Sequence, residues 1–425
     1  MLRQFISFAD ILAHLNSLGL FHMDMRLKRM AAVLDALGLS VAPFAVVQIL
    51  GTNGKGSTAA FLSSIATAHG VKTGRYTSPH FVSPTERICI NGLPVPGDAW
   101  VEPANRILSV AQDLTYFEFL TVLALLLFRE AGVELAVLEA GLGGRHDATT
   151  AVHADLLCYT PIAMDHEDVL GNSISSVAQD KAAAIRSPAP VCTAHQFPIV
   201  RKTLCAAAHA QGAELIGAPP LPHARKSCLG LQGPYQLVNA GLALCAWQKL
   251  AELLGRSPED RTAQVAGLGG AFIPGRMQSI TTGFDSSPLL LDGAHNPHGT
   301  LNLINALSEA CIRPAAMIFS CLDDKNWRPS VRMLRRYNGI APVYIPQLDN
   351  PRAADVGLLE GEFNAAVPPV AQALRGREAL VEGLSLAQKS APPGRPILVT
   401  GSLYLLAACF SLYPQALTAN VPTRR

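Results

Sequence analysis

Phe44-Ala45-Val46-Val47-Gln48-Ile49-Leu50 runs directly into Gly51-Thr52-Asn53-Gly54-Lys55-Gly56-Ser57, and a small-residue segment continues to Gly70. The apolar, β-branched run reads as a buried strand, and Ser57–His69 reads as a helix stopped by Gly70. A glycine-rich turn between a strand and a helix lets backbone N–H groups point inward around phosphate oxygens. The helix N-terminus adds a partial positive charge. Lys55 can reach outer phosphates and Ser57 can ligate Mg²⁺. The common phosphate-loop pattern has Gly six positions before its Lys and Ser or Thr directly after it. Here those places hold Ile49 and Gly56. The plain alternative is a turn that binds nothing, and the strand–loop–helix context favours phosphate.

Outward from this stretch, Val71–Ser78 is the next strand. A long helix covers 117–131 and ends at Gly132, and Leu135–Ala140 is a buried strand followed at once by Gly141-Leu142-Gly143-Gly144. Asp155–Ile162 is another strand, and Ser175–Ile185, Phe197–Ala210 and Tyr235–Leu254 read as helices, the last capped by Gly255. Gly217–Pro222 reads as a loop or hairpin approach. The pattern restarts with strand-like Pro288–Asp292, Ala315–Ser320, Val343–Ile345 and Pro396–Thr400. Short apolar strands alternating with helices predict an α/β fold with mostly parallel sheets covered on both faces. The polar stretch Thr281–Ser287 is the expected linker, giving domains 1–280 and 288–425.

A hydrophobic share of 49% against 16% charged in 425 residues supports large buried cores and excludes a disordered chain. Lys+Arg 34 against Asp+Glu 32 gives a net charge of +2, so bulk electrostatics supply no case for a nucleic-acid or membrane-surface binder. Nine cysteines form no Cys-x-x-Cys pair, which argues against zinc and a disulfide framework and for reduced thiols. The N-terminus lacks the features of a signal peptide. The longest strongly apolar run, 119–128, is about half a membrane span. The expectation is a soluble, cytoplasmic protein.

Three further positions stand out. Glu139 ends an apolar strand beside the phosphate loop, where a carboxylate can hold Mg²⁺ or cap the next turn. Asp165-His166 follows another strand at the same sheet end, and its histidine is either a ligand or structural. Lys181 falls by helical spacing on the face of Ile174, Val177, Ala178 and Ile185. Desolvation there favours a neutral amine, which can add CO₂ to become a carbamate; the alternative is a snorkelling lysine.

Taken in order, GTNGKGS at 51–57, TSPH at 77–80, ERI at 86–88, LTYFE at 114–118, LEAGLGGRHDAT at 138–149 and MDH at 164–166 form the first part of a longer series. Lys181, Gln236, Asn239-Ala240, PGR at 274–276, DGAHNPH at 292–298, DDK at 323–325 and VTGS at 399–402 complete it. The chain thereby resembles the dihydrofolate synthase/folylpolyglutamate synthase family of the Mur-ligase-like superfamily over nearly its whole length. The resemblance implies an N-terminal P-loop ATPase domain that also holds the pterin/folate site, and a smaller Rossmann-like C-terminal domain. It implies that Gly54, Lys55, Gly56 and Ser57 bind ATP phosphates. Ser57, Ser78, Glu139 and His166 would ligate Mg²⁺ (two ions), with carbamylated Lys181 as ligand or orienter. Asn239 and Arg276 would contact ATP from the first domain, and Asp292 and His295 from the second. Thr115, Tyr116, Phe117 and Glu118, with His146, Asp147, Ala148, Asp24 and Leu27, would form the pterin side, where Phe117 can stack on a flat ring. The chain departs from the family at Thr150 for Asn, at Asp180-Lys181-Ala182-Ala183-Ala184-Ile185 for Glu-Lys-Ala-Gly-Ile, and at Met25-Arg26 for Leu-Gly.

The implied reaction is ATP-dependent amide ligation. Lys55, His166, Glu139 and Lys181 would carry the catalysis. A carboxylate of dihydropteroate or of a tetrahydrofolate's glutamate attacks the γ-phosphorus, and the amine of L-glutamate then displaces phosphate from the acyl phosphate. Domain closure would exclude water. The implied partners are these small molecules alone, with no nucleic acid and no membrane, and a monomeric protein. Three rivals remain. A peptidoglycan ligase needs a UDP-binding domain, and only fifty residues precede Gly51. A nucleotide switch of the GTPase kind would show an Asn-Lys-x-Asp element. A monofunctional folylpolyglutamate synthase is the nearest, and LTYFE favours the bifunctional type.

Overall fold

The apolar run before the phosphate loop forms β1 (Ala45–Leu50), buried at every residue but the first. The protein is described from a computed structural model that covers residues 4–19, 27–165, 167–283, 286–392 and 394–418. The chain divides into two compact units, one of 1–230 with 237–272 and the other of 231–236 with 273–425.

The first unit holds β1 with β2 (Thr73–Tyr76), β3 (Ile88–Ile90), β4 (Leu93–Pro94), β5 (Leu135–Glu139), β6 (Leu156–Tyr159), β7 (Val191–Thr193) and β8 (Leu215–Gly217). They form one sheet in the order β4-β3-β2-β5-β1-β6-β7-β8. Every pair is parallel except β2/β3 and β3/β4. The mostly parallel sheet therefore carries an antiparallel edge. Its turn is Asn91-Gly92, with φ of 49° and 81°. Two successive positive φ angles make the tight hairpin turn that Asn-Gly favours.

From β1 the chain crosses to β2 on one side, and from β5 it returns past β1 to β6 on the other. The strand order thus reverses at β1, and a ligand crevice belongs at the carboxyl ends of strands at such a point. Gln48 is the polar exception within β1. It is fully buried, and its Nε2 donates to Thr149 Oγ1 at 2.8 Å and to Thr150 Oγ1 at 2.7 Å. The strand thereby fixes the segment that follows the 141–144 glycines.

The Lys55–Ala68 helix starts two residues before the expected Ser57 and is buried on nearly all sides. Its small residues admit the Arg261–Gly270 helix so closely that a Cβ on Gly267 would lie 2.4 Å from Ile65 Cα. The Tyr116–Glu130 helix begins with a reciprocal cap. Thr115 N–H donates to Glu118 Oε2 at 2.8 Å, and Glu118 N–H donates to Thr115 Oγ1 at 3.4 Å. The lysine helix is Ile174–Ala182, three residues shorter at its end than expected, because Ala184 and Ile185 bond three residues back in a tightened turn.

The second unit holds β9 (Gln278–Ile280), β10 (Leu289–Leu291), β11 (Ala316–Phe319), β12 (Val343–Pro346), β13 (Ala371–Leu374) and β14 (Ile397–Thr400), in the order β13-β12-β11-β14-β10-β9. Only β9/β10 is antiparallel. This pairing changes the expected boundary. The stretch 281–287 joins two paired strands inside the second unit, whose main segment begins at Ile273, and its polar composition is that of a strand connection. Among the described residues no helix is long and apolar enough to cross a membrane.

Candidate active site

The loop after β1 is shaped by two glycines in conformations that other residues rarely adopt. Gly51 has φ +134°, and a Cβ there would lie 1.9 Å from Thr160 Oγ1 and 2.8 Å from Thr160 O. Gly54 has φ +95° and lies against Asn239, whose Oδ1 is 2.3 Å from the place of a Cβ. The backbone therefore makes a cradle that side chains would fill. Thr52 ties the loop to the segment after β6, donating to Ala163 O at 2.9 Å and accepting from Ala163 N–H at 3.0 Å. Lys55 Nζ donates to Gly51 O at 3.3 Å and Thr52 O at 3.2 Å, so the ammonium is held over the loop. Gly56 and Ser57 are buried in the first turn of the helix.

Sheet register brings the next groups alongside. Glu139 pairs with Ile49, two residues before Gly51, and is itself buried. Its Oε2 accepts from Ser78 N–H at 3.0 Å, linking the loop after β2 to the end of β5. The hydroxyls of Ser57 and Ser78 and the Glu139 carboxylate are hard oxygen donors of the kind Mg²⁺ takes. Among the described residues no group of three or more His, Cys, Asp and Glu side chains is arranged to hold a metal. His166 and Asp24 lie outside the described residues.

Lys181 is 5% exposed. Burial first, then the nearby Lys55 charge, brings its amine down to about 7, while Asp180, Asp165 and Asp147 act in the opposite sense. Its own carbonyl accepts from Tyr159 OH at 2.9 Å. The glycine turn packs against its backbone, and a Cβ on Gly144 would lie 2.7 Å from Lys181 O and 2.8 Å from Lys181 Cα. Backbone on both sides leaves no side chain to move aside. Gly144→Ala is therefore expected to lower stability by about 3 kcal/mol. Urea unfolding checks this, and an unchanged midpoint contradicts it. Asp180, not singled out from sequence as a site residue, accepts from Gly144 N–H at 2.9 Å. Its position directly before Lys181 was the available signal.

The expected pterin-side residues divide into two kinds. Phe117 lies over Gly141, where a Cβ would be 2.8 Å from its ring, and its ring centroid is 5.5 Å from that of Tyr76. Tyr116 lies under the Arg87 guanidinium at 5.3 Å. Arg87 Nε donates to His80 Nδ1 at 2.8 Å, and burial, then that cation, pushes the imidazole down to about 3. His80 is thus neutral at physiological pH, with its remaining proton on Nε2. The Leu27–Ala36 helix packs on the Ala148–Ala151 turn. His146 is exposed.

The other kind is committed to structure. Thr115 and Glu118 cap their helix, and Glu118 Oε2 also pairs with Arg29 at 2.5 Å. Asp147 Oδ2 accepts from Gly141 N–H at 2.8 Å and Leu142 N–H at 2.9 Å, and its Oδ1 accepts from Thr149 N–H at 3.0 Å. These bonds oppose the upward push of full burial on its carboxyl. Asp147 therefore buttresses the glycine turn from behind. Thr150, the departure from Asn, accepts from Gln48 and donates to Gly144 O at 2.7 Å.

In the second unit Asp292 follows β10 and is buried. Its Oδ2 accepts from Tyr235 OH at 3.2 Å and Met277 N–H at 3.0 Å, and its Oδ1 from Ala294 N–H at 3.0 Å. Burial raises its carboxyl and Arg276 opposes that. The Arg276 guanidinium lies on Gly293, 2.4 Å from the place of a Cβ. His295 Nδ1 is 2.8 Å from Gly293 O. Tyr235, 57 residues from Asp292 in sequence, had no signal beyond its place at a helix start.

The family described as Mur ligase, glutamate ligase domain matches residues 275–403. The chain is 31% identical over 423 residues to the dihydrofolate synthase/folylpolyglutamate synthase of Escherichia coli K12, covering 94% of each chain. Its fold is similar to that of E. coli FolC in complex with DHPP and ADP, with a TM-score of 0.82, 28% identity, and coverage of 98% of this chain and 100% of that one. It is likewise similar to the bifunctional folylpolyglutamate synthase/dihydrofolate synthase of Yersinia pestis complexed with AMPPNP and Mn ion. That TM-score is 0.82 at 27% identity, covering 97% and 100%.

Proposed function

The chain belongs to the dihydrofolate synthase/folylpolyglutamate synthase family, and on that premise we propose how its own residues carry out the ligation. It is an ATP-dependent, amide-forming ligase. Its acceptors are dihydropteroate and the γ-carboxylate of tetrahydrofolates, and its amine substrate is L-glutamate. The observation that carries this reading is the phosphate cradle of Gly51 and Gly54 with Glu139 beside it in register.

A free carboxylate resists attack by an amine because oxide is too poor a leaving group. Transfer of the γ-phosphoryl group to that carboxylate gives an acyl phosphate, from which phosphate can leave. Most of the protein's task is to position two anions and offset their charge. Lys55 neutralises phosphate oxygens, and the N–H groups of Gly54, Lys55, Gly56 and Ser57 direct their dipoles at them. Ser57, Ser78, Glu139 and His166 would hold Mg²⁺, which when bound supplies further positive charge at the phosphates. Lys181, buried with its amine near 7, is suited to carry a carbamate that completes or orients this set. Asn239, Arg276, Asp292 and His295 contact the nucleotide. Phe117, with Tyr116, Leu27, His146 and Ala148, receives the pterin ring, and Thr115, Glu118 and Asp147 hold that surface in shape; Asp24 would contact the same substrate. The protein acts as a cytoplasmic monomer on small molecules.

A phosphate-release assay with ATP, Mg²⁺ and L-glutamate tests the reading in two arms, one with dihydropteroate and one with tetrahydrofolate. Turnover is expected in both. Turnover with tetrahydrofolate alone makes the chain a monofunctional folylpolyglutamate synthase. Silence in both arms, from folded protein that binds ATP, overturns the substrate assignment.

A further inference from the structure

Away from the phosphate loop, two thiols meet between a strand and a helix. Cys192 lies in β7, and Cys245 lies on the Gln236–Leu253 helix, with their Sγ atoms 3.6 Å apart. Cys192 is buried and Cys245 is half-buried. One turn along the helix is Lys249, whose Nζ pairs with Glu214 Oε2 at 3.1 Å. Contact with Cys192 favours the thiolate of Cys245, and the Lys249 ammonium adds to this, against the effects of burial and Glu214. The pair thus has a half-buried thiol suited to ionise and a buried thiol in contact to resolve it. Cys158 is in register with Cys192 on the neighbouring strand, but it is fully buried and burial pushes its thiol well up.

We propose that Cys192 and Cys245 form a reversible disulfide when the protein meets a hydroperoxide. The Cys245 thiolate attacks one peroxide oxygen and the O–O bond breaks. Cys245 becomes a sulfenic acid, and hydroxide leaves to take up a proton as water. The Cys192 sulfur then attacks the sulfenic sulfur, forming the S–S bond; its proton and the sulfenic hydroxyl leave as a second water. Two thiols are oxidised and one hydrogen peroxide is reduced to two waters. The bond ties β7 to the helix that, six residues before Cys245, carries Asn239 against Gly54.

The test uses the full-length protein, treated with a slight excess of hydrogen peroxide, quenched, denatured and titrated for thiols. The count is expected to fall from nine to seven and to return to nine with dithiothreitol. Tryptic mapping is expected to join the peptide 187–201 to the peptide 227–249, with fragmentation placing the bond at Cys245 rather than Cys228. Cys245→Ser, checked for native circular dichroism, is expected to keep all eight remaining thiols under the same treatment, whereas Cys192→Ser, checked likewise, is expected to lose one by stopping at a Cys245 sulfenic acid, with no joined peptides. Retention of nine thiols in the unsubstituted protein overturns the proposal. So does a bond mapped to Cys158–Cys192, or oxidation confined to the exposed Cys205 and Cys311.

Discussion

Lys55→Ala is expected to lower kcat/KM for ATP-dependent ligation by about 10²- to 10³-fold while leaving the protein folded. The reasoning separates what the side chain does for the fold from what it does for phosphate. For the fold, Lys55 is the first residue of its helix, and its ammonium bonds two carbonyls of its own loop, at 3.3 Å and 3.2 Å. Alanine is a good helix former, so the loss is about 1 kcal/mol. For phosphate, the lysine offsets charge that builds between two anions. Removing one such preorganised donor typically raises a barrier by about 3–4 kcal/mol. Phosphate release measured beside circular dichroism and a thermal melt checks both halves. A folded variant with more than a tenth of the starting turnover removes the phosphate-loop assignment.

Lys181 supplies the second large effect, and here activity and stability are expected to move in opposite directions. Its amine falls from 10.5 in an unfolded chain to about 7 in the native one. Below pH 7 the buried group is charged in both states, and the native state bears the full desolvation. Between about 7 and 10.5 the unfolded chain holds a proton that the native state has released, so native stability rises with pH across that window. The penalty is gone above the unfolded value. Lys181→Met keeps the stem and removes the charge. It is expected to raise stability below pH 7 by up to about 5 kcal/mol, the gain shrinking steadily towards pH 10.5. Melts in CO₂-free buffer at pH 6 and pH 9.5 check this, and an equal shift at both removes the electrostatic account. Lys181→Met and Lys181→Ala should both lose at least about 10²-fold in ligation. Partial recovery of Lys181→Ala by acetate is the outcome the carbamate requires, and full activity without acetate excludes it.

The parts of this fold legible in sequence are those whose cause lies in one contiguous run. Residues 44–57 contain their strand, loop and helix start together, and Lys181 reveals its burial because helical spacing puts it among Ile174, Val177 and Ala178. Other signals were local too and carried a different meaning. Thr115 and Glu118 have the spacing of a helix cap, and capping is what they do. Asn91-Gly92 marks a hairpin, although strands of three and two residues give it little flanking pattern. What escapes sequence is set by distant partners. Gln278-Ser279-Ile280 is a strand only because β10 lies beside it, and β13 is a half-exposed edge of four residues. The sequence puts Asp147 on the pterin side but does not show that four donors of its own turn use its carboxylate. The tyrosine that steadies Asp292 comes from beyond any window a local pattern can span.

The chain visits its second unit twice, briefly at 231–236 and then for good from 273. During synthesis the hexapeptide therefore emerges first and waits while the whole of 237–272 is made for the other unit. Tyr235 leaves the ribosome 57 residues ahead of the carboxylate it will serve. A C-terminal fragment cut at Ile273 has every strand of its sheet and none of that hexapeptide. Its buried Asp292 would have lost a donor at a position where burial already disfavours charge. Fragment complementation at this boundary should accordingly succeed only when the upstream piece delivers Tyr235, which makes the second half of the protein a lodger with a forwarding address in the first.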